Sequence, residues 1–317
     1  MNTIKKTILF FSLLLACSFQ LFAQNDIQQN YTKEEIQIEM RDGIKLFTSI
    51  YAPRDKSISY PILITRMPFG SEPDKDRYSK WPSWFPHLLK EKYILVFQDV
   101  RGKYMSEGEY VAVRPYNPNK KNKETDENSD AYDTIDWLVH NVDNNNGNVG
   151  VFGISAMGFY ATMTLPNAHP ALKAVSPQVP VTDWFLGDDI HHNGAFFLMD
   201  SFPKSAAMGK PRNGPTRPSS KVPFDYKNKD NYAFYKELGP IKNMQQKPTV
   251  QTNKFWSDLI KHPNYDSFWK ARNVLPHLKN IVPAVLVVGG WFDAEDLYGP
   301  LKTYEAIEKQ NKTVENK

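Results

Sequence analysis

An almost unbroken apolar run from Thr7 to Phe19 follows the basic pair Lys5-Lys6 and gives way at Leu21-Phe22-Ala23 to polar sequence. A basic start, a short apolar stretch and a small residue predict an export leader over residues 1–23. The run is shorter than the ~20 residues a helix needs to cross a bilayer, so no transmembrane segment is expected. Leu14-Leu15-Ala16-Cys17 offers a second reading, lipid anchoring at Cys17. Further on, Lys45 to Tyr51, Tyr60 to Thr65 and Tyr93 to Gln98 predict strands bounded by Pro, Gly or charge. The last two are nearly all apolar, as suits strands buried on both faces. Ala131, Ile135, Trp137, Leu138 and Val139 recur at mainly helical spacing over 130–141, after a polar stretch from Asn117 to Asn128 that reads as loop. Asn148 to Phe152 predicts a short strand, Pro283 to Val288 a further buried one, and Leu297 to Ile307 a helix. Strands alternating with helices predict an α/β fold with a mainly parallel sheet. From Asp183 to His262, repeated Pro and clustered Lys, Asn and Ser leave only short helical stretches. The chain therefore divides into a core over 24–182, an inserted cap over 183–262 and the second part of the core over 263–317.

Composition narrows the chemistry. The formal charge is +4, and loss of Lys5 and Lys6 with the leader lowers it by two, which argues for no nucleic-acid partner. Cys17 is the one cysteine, so a mature chain starting after Ala23 has no thiol for a disulfide, a metal site or a nucleophile. An apolar content of 41% is enough for a sizeable core. No phosphate loop, dinucleotide fingerprint, haem motif or His-x-x-x-His spacing is present, and the carboxylates lack calcium-loop spacing; no cofactor and no metal are expected.

The strongest motif is Val151-Phe152-Gly153-Ile154-Ser155-Ala156-Met157-Gly158. It places a serine between a predicted strand and a predicted helix, with glycines two before and three after. A strained turn there would hold the serine oxygen clear of the backbone, and small neighbours would let strand and helix pack closely. Met157 stands where the short pattern has a second glycine, and an ordinary Gly-Ser turn is the alternative. The flanking strand and helix, and a downstream acid after an apolar run, favour a nucleophile.

Met40-Arg41-Asp42-Gly43, Thr65 to Gly70, Gln98 to Tyr104, Gly153 to Gly158, Gly187-Asp188-Asp189 and Gly290 to Asp296 together resemble the cocaine-esterase-like and Xaa-Pro dipeptidyl-peptidase group of serine hydrolases. Within it the likeness is greatest to the α-amino acid ester hydrolases. The resemblance implies an α/β-hydrolase core, a helical cap and, in full-length members, a C-terminal jelly-roll for which this chain has no room. It implies Ser155 as nucleophile, Asp293 as the acid that orients the base, and the Ala156 N–H as an oxyanion donor. Asp189, Glu295 and Asp296 match carboxylates that grip a substrate ammonium, so an ester or short peptide with a free α-amine is the implied partner. Capping of the helix near Leu297 is a second role open to Glu295 and Asp296. A homo-oligomer is also implied by relatives.

Two departures stand out. The fold's triad runs serine, acid, histidine, yet His87, His140, His169, His191, His192, His262 and His277 all precede Asp293. Residues 1–317 are therefore expected to be inactive, a fragment or a shortened relative, with His191 and His192 as cap residues near the cleft. Arg66-Met67-Pro68 is followed by Phe69 where relatives carry a tyrosine hydroxyl for the oxyanion. Loss of such a donor costs ~10²–10³ in turnover unless Tyr78, Tyr104 or water replaces it.

Overall fold

The computed structural model describes residues 27–71, 82, 85–209, 212–217 and 230–311. The predicted leader, Cys17 and Tyr78 lie outside them. Strands β1 (Tyr31–Glu39), β2 (Lys45–Pro53), β3 (Tyr60–Met67), β4 (Ile94–Asp99), β5 (Asn145–Ile154) and β6 (Leu172–Gln178) build one sheet, with β7 (His191–His192) and β8 (Ala195–Phe196) forming a separate hairpin. A final strand, β9 (Ala284–Val285), completes the sheet in the order β1-β2-β4-β3-β5-β6-β9. β1 and β2 pair antiparallel, as do β2 and β4; every later pairing is parallel. The sheet is thus mixed and mostly parallel.

β4 is buried at all six positions, which agrees with its apolar sequence. Ile62, Ile64, Val96, Val149 and Val151 form the middle of one apolar core that continues to Trp256 and Trp269. Each such aliphatic side chain stabilises the fold by roughly 1.5–3 kcal/mol relative to exposure. Helix α1 (Glu127–Asn141) begins three residues before the predicted 130 because Asp126 and Ser129 form a reciprocal capping box. Helix α2 (Ala156–Thr162) follows β5. Residues 183–262 contain the hairpin, α3 (Leu198–Met208), α4 (Asn231–Leu238) and α5 (Lys254–Lys261). Phe202 of α3 meets Trp256 of α5 edge-on at 5.1 Å. Short helix α6 (Ser267–Arg272) and helix α7 (Tyr298–Gln310) follow.

The run from Pro283 to Val288 departs from its expectation. Its ladder is two residues long with a bridge from Gln178 to Val288, and Leu286 is 65% exposed. Among the described residues it pairs only with β6, so it is a sheet edge. Its apolar composition signals a strand but carries no information about which neighbours cover it.

Family-like motif residues at the front of the chain turn out to join the sheet to α1. Arg66 is fully buried, donating to Gln98 Oε1 at 2.9 Å and to the Glu127 carbonyl at 2.8 Å. Arg101 makes a two-pronged contact with Asp130 and pairs with Asp42 at 2.7 Å. The Arg114 guanidinium lies 3.7 Å from Glu127.

Candidate active site

The site lies at the C-terminal ends of β5, β6 and β9, where loops leave a parallel sheet and ligands usually bind. Ser155 occupies φ 59°, ψ −121°, a conformation that side chains other than glycine rarely adopt. Two neighbours make that turn possible. A Cβ on Gly153 would sit 2.2 Å from the Met157 carbonyl oxygen, and one on Gly158 would sit 2.7 Å from that of Gln178. Met157 in place of the second glycine is tolerated because the close approaches fall at 153 and 158. The Ser155 N–H donates to Gln178 O at 2.9 Å, tying the elbow to β6. Ala156 opens α2, where its N–H has no acceptor within the helix.

The three carboxylates carried by the resemblance converge on this serine. Ser155 Oγ donates to Asp296 Oδ2 at 3.1 Å, and acid oxygens of Asp189, Glu295 and Asp296 lie within 4.8 Å of one another. Asp189 reaches the cluster from the loop after β6, where its N–H donates to Glu295 O at 3.3 Å. Beside it, Asp188 accepts from the N–H groups of Thr182, Asp183 and Gly299, so it locks the β6 loop to the start of α7. Burial pushes the Asp188 carboxyl up to about 7. For Asp296, burial and then the charges of Asp189 and Asp188 push the carboxyl up to about 9. Asp296 is 2% exposed and its Oδ1 has no hydrogen-bond partner.

Asp293 sits in the loop after β9, and its Oδ1 accepts from the N–H groups of Glu295 at 2.9 Å and Asp296 at 2.8 Å. It therefore shapes the turn that sets Asp296 against Ser155 and Glu295 against Lys204, and its Oδ2 has no partner among the described residues. The helix-cap reading of Glu295 and Asp296 finds no support in hydrogen bonding, because α7 starts without a side-chain cap.

No histidine among the described residues is hydrogen-bonded to Ser155. His191 packs among Phe185, Phe196 and Trp269, and burial lowers its imidazole to about 4, keeping it neutral. His192 lies against the Phe197 ring at 4.9 Å. His140 and His169 meet Asp136, His262 meets Asp266, and His277 meets the Tyr116 ring. Phe69 is half exposed and offers no donor. The Tyr104 carbonyl accepts from Arg212 and from the Thr216 N–H, and no hydrogen bond links its hydroxyl to Ser155.

One member of the site escaped the sequence reading. Lys204 of α3 pairs with Asp189 and donates to Glu295 Oε2 at 2.7 Å. Burial opposes its charge, yet the two carboxylates hold the ammonium above its ordinary range. No spacing in the sequence links position 204 to 189 and 295.

Comparison with known proteins places this geometry. Residues 42–316 match the X-Pro dipeptidyl-peptidase family (S15 family), and the chain belongs to it. The cocaine esterase of Rhodococcus sp. (strain MB1 Bresler) is 25% identical over 284 residues, 84% of this chain and 45% of that protein. An aminopeptidase from a marine sediment Thaumarchaeota archaeon superposes with a TM-score of 0.79 at 35% identity, covering 89% of this chain and 46% of that one. An α-amino acid ester hydrolase superposes with a TM-score of 0.75 at 33% identity, covering 88% and 46%. The fold is therefore that of the α/β-hydrolases over the part matched, and this chain spans about half the length of these relatives. Among the described residues no helix is long and apolar enough to cross a membrane.

Proposed function

We propose that the protein is an exported serine hydrolase of α-amino acid esters or short peptides and amides, acting through an acyl-enzyme on Ser155. The observation that carries this reading is the strained Ser155 turn with Asp296 at 3.1 Å and two more carboxylates beside it. Ser155 Oγ would attack the carbonyl carbon as a base removes its proton. The Ala156 N–H would meet the developing oxyanion, and Asp293 Oδ2, free of other partners among the described residues, would orient the base. Collapse of the oxyanion intermediate would expel the alcohol or amine, which takes the proton from the base, and water would then hydrolyse the acyl-enzyme and restore the Ser155 hydroxyl. Carboxylates at this distance favour a substrate bearing an α-ammonium; each within ~4 Å contributes on the order of a few kcal/mol at an effective dielectric near 20. Residues 183–262 would cap the cleft, since α3 reaches into it through Lys204.

Protein isolated from its own cells should gain the acyl mass on its Ser155 peptide when given an α-amino ester, and Ser155→Ala should not. Its N-terminus should begin at Gln24. Residues 1–317 alone should turn over no ester, because none of their described histidines reaches Ser155; a Ser155-dependent burst from them would overturn that part. An Xaa-Pro dipeptidyl-peptidase would also grip an N-terminal ammonium, and faster cleavage of an Ala-Pro anilide than of an amino ester would favour it. A non-catalytic relative that binds amines or peptides is favoured by Phe69 and by the absence, among the described residues, of a histidine hydrogen-bonded to Ser155. Ligand binding with no acyl adduct in the protein from its own cells would select it.

A further inference from the structure

Three carboxylates beside a nucleophile need a cation, and here the chain supplies one itself. The Lys204 ammonium contacts Asp189, which is 3% exposed, and Glu295, while the remaining acid, Asp296, keeps a buried Oδ1 with no partner. An ammonium has three N–H donors, and the two used by Lys204 fall on two of the three acids that would hold a substrate amine. Two ammonium groups side by side would repel, so one must leave when the other enters. The Lys204 side chain is 28% exposed. It therefore has a route toward solvent that Asp189 and Asp296 lack. Pro203, directly before it inside α3, removes a helical hydrogen bond and loosens that turn.

We propose that Lys204 is a built-in occupant of the ammonium subsite and sets the site's selectivity for charge. In the empty site it neutralises the acids. A substrate with a free α-amine binds only by displacing it, whereas an acyl group without an amine binds with Lys204 in place. This inference rests on the reading of Asp189, Glu295 and Asp296 as an ammonium subsite.

The probes are L-alaninamide and N-acetyl-L-alaninamide, titrated calorimetrically into the chain and its variants. Lys204→Met should bind L-alaninamide about tenfold more tightly than the parent, because an occupant that must leave weakens apparent affinity by the fraction of empty sites. Lys204→Arg, still cationic, should not show that gain, and binding of the acetylated probe should not respond to either change. Glu295→Gln should weaken L-alaninamide binding. If Glu295→Gln has no effect, the subsite reading itself falls. If Glu295→Gln weakens binding but Lys204→Met weakens it too or leaves it unchanged, Lys204 is a structural tie and the proposal is overturned. Should Lys204→Met not fold, the parent chain labelled with ¹⁵N at lysine Nζ decides: the Lys204 resonance should move with L-alaninamide and stay with the acetylated probe. An unmoved resonance under saturating L-alaninamide overturns the proposal equally.

Discussion

Where the sheet meets α1, Arg66, Arg101 and Arg114 face Asp42, Glu127 and Asp130, three cations against three acids. Beside Ser155, Asp189, Glu295 and Asp296 face, among the described residues, the ammonium of Lys204. Both clusters are largely buried, yet they differ in balance and in donor geometry. In the first, Arg101 grips Asp130 and Asp42 with bidentate contacts, while Arg66 and Arg114 lie 3.3 and 3.7 Å from Glu127. The second holds more acid than Lys204 neutralises, and burial with the neighbouring acid charges raises the Asp296 carboxyl. The balanced cluster thus braces the sheet against α1, and the acid-rich one lies beside the strained Ser155 turn.

That contrast is open to attack, most strongly in the scaffold. Asp130→Ala would leave Arg101 and Arg66 short of a buried partner and should destabilise the protein by about 3–5 kcal/mol, read from denaturant melts. A loss under 1 kcal/mol would mean the network is not balanced as described. On the other side, Glu295→Gln should cost little stability but should slow α-amino esters about tenfold more than acetate esters in a turnover-competent form, the loss of one ammonium contact. Equal slowing would remove the distinction between the clusters.

The acid-rich cluster should also show in the pH dependence of stability. The Asp296 carboxyl is raised from 3.8 to about 9, so the folded state holds its proton more tightly than the unfolded state does. Its contribution is fully present below about pH 4 and is lost as pH rises through about 9. Asp188 and Asp99 shift in the same direction through burial, to about 7 and about 6. Asp296→Asn should therefore lessen the decline in melting temperature from about pH 4 to about pH 9, most plainly between about 7 and 9, where Asp188 and Asp99 have already lost their protons. A parallel curve for the variant would show that Asp296 is ionised in the fold. The smallest effect belongs to the partly exposed pair at the scaffold's rim, Arg41 and Asp133. Arg41→Ala should cost about 0.2–1 kcal/mol, and a larger loss in the same melts would extend the buried network outward.

Much of the site was legible because its signals are local. A serine with glycines at −2 and +3 reads as an elbow, and the glycines prove necessary through the approach of Met157 and Gln178. β4 was legible because burial on both faces demands continuous apolar sequence. β1 and β6 were not singled out: β1 alternates charge and apolar residues at a sheet edge, and β6 contains Pro177. Asp42, Arg66 and Arg101 stood out as motif residues, but only their contacts show that they brace α1.

By itself the sequence determined the family, the α/β order of elements, the Ser155 turn and the acids near it, since each depends on residues close together in the chain or on a motif. The tertiary structure alone decided which charges face each other. Asp189, Lys204 and Glu295 come from three separate segments, and Coulomb interactions between them depend on distance in space and on burial. The same reason hid the exposure of the Leu286 edge, because composition records what a strand can bury and only packing records what covers it.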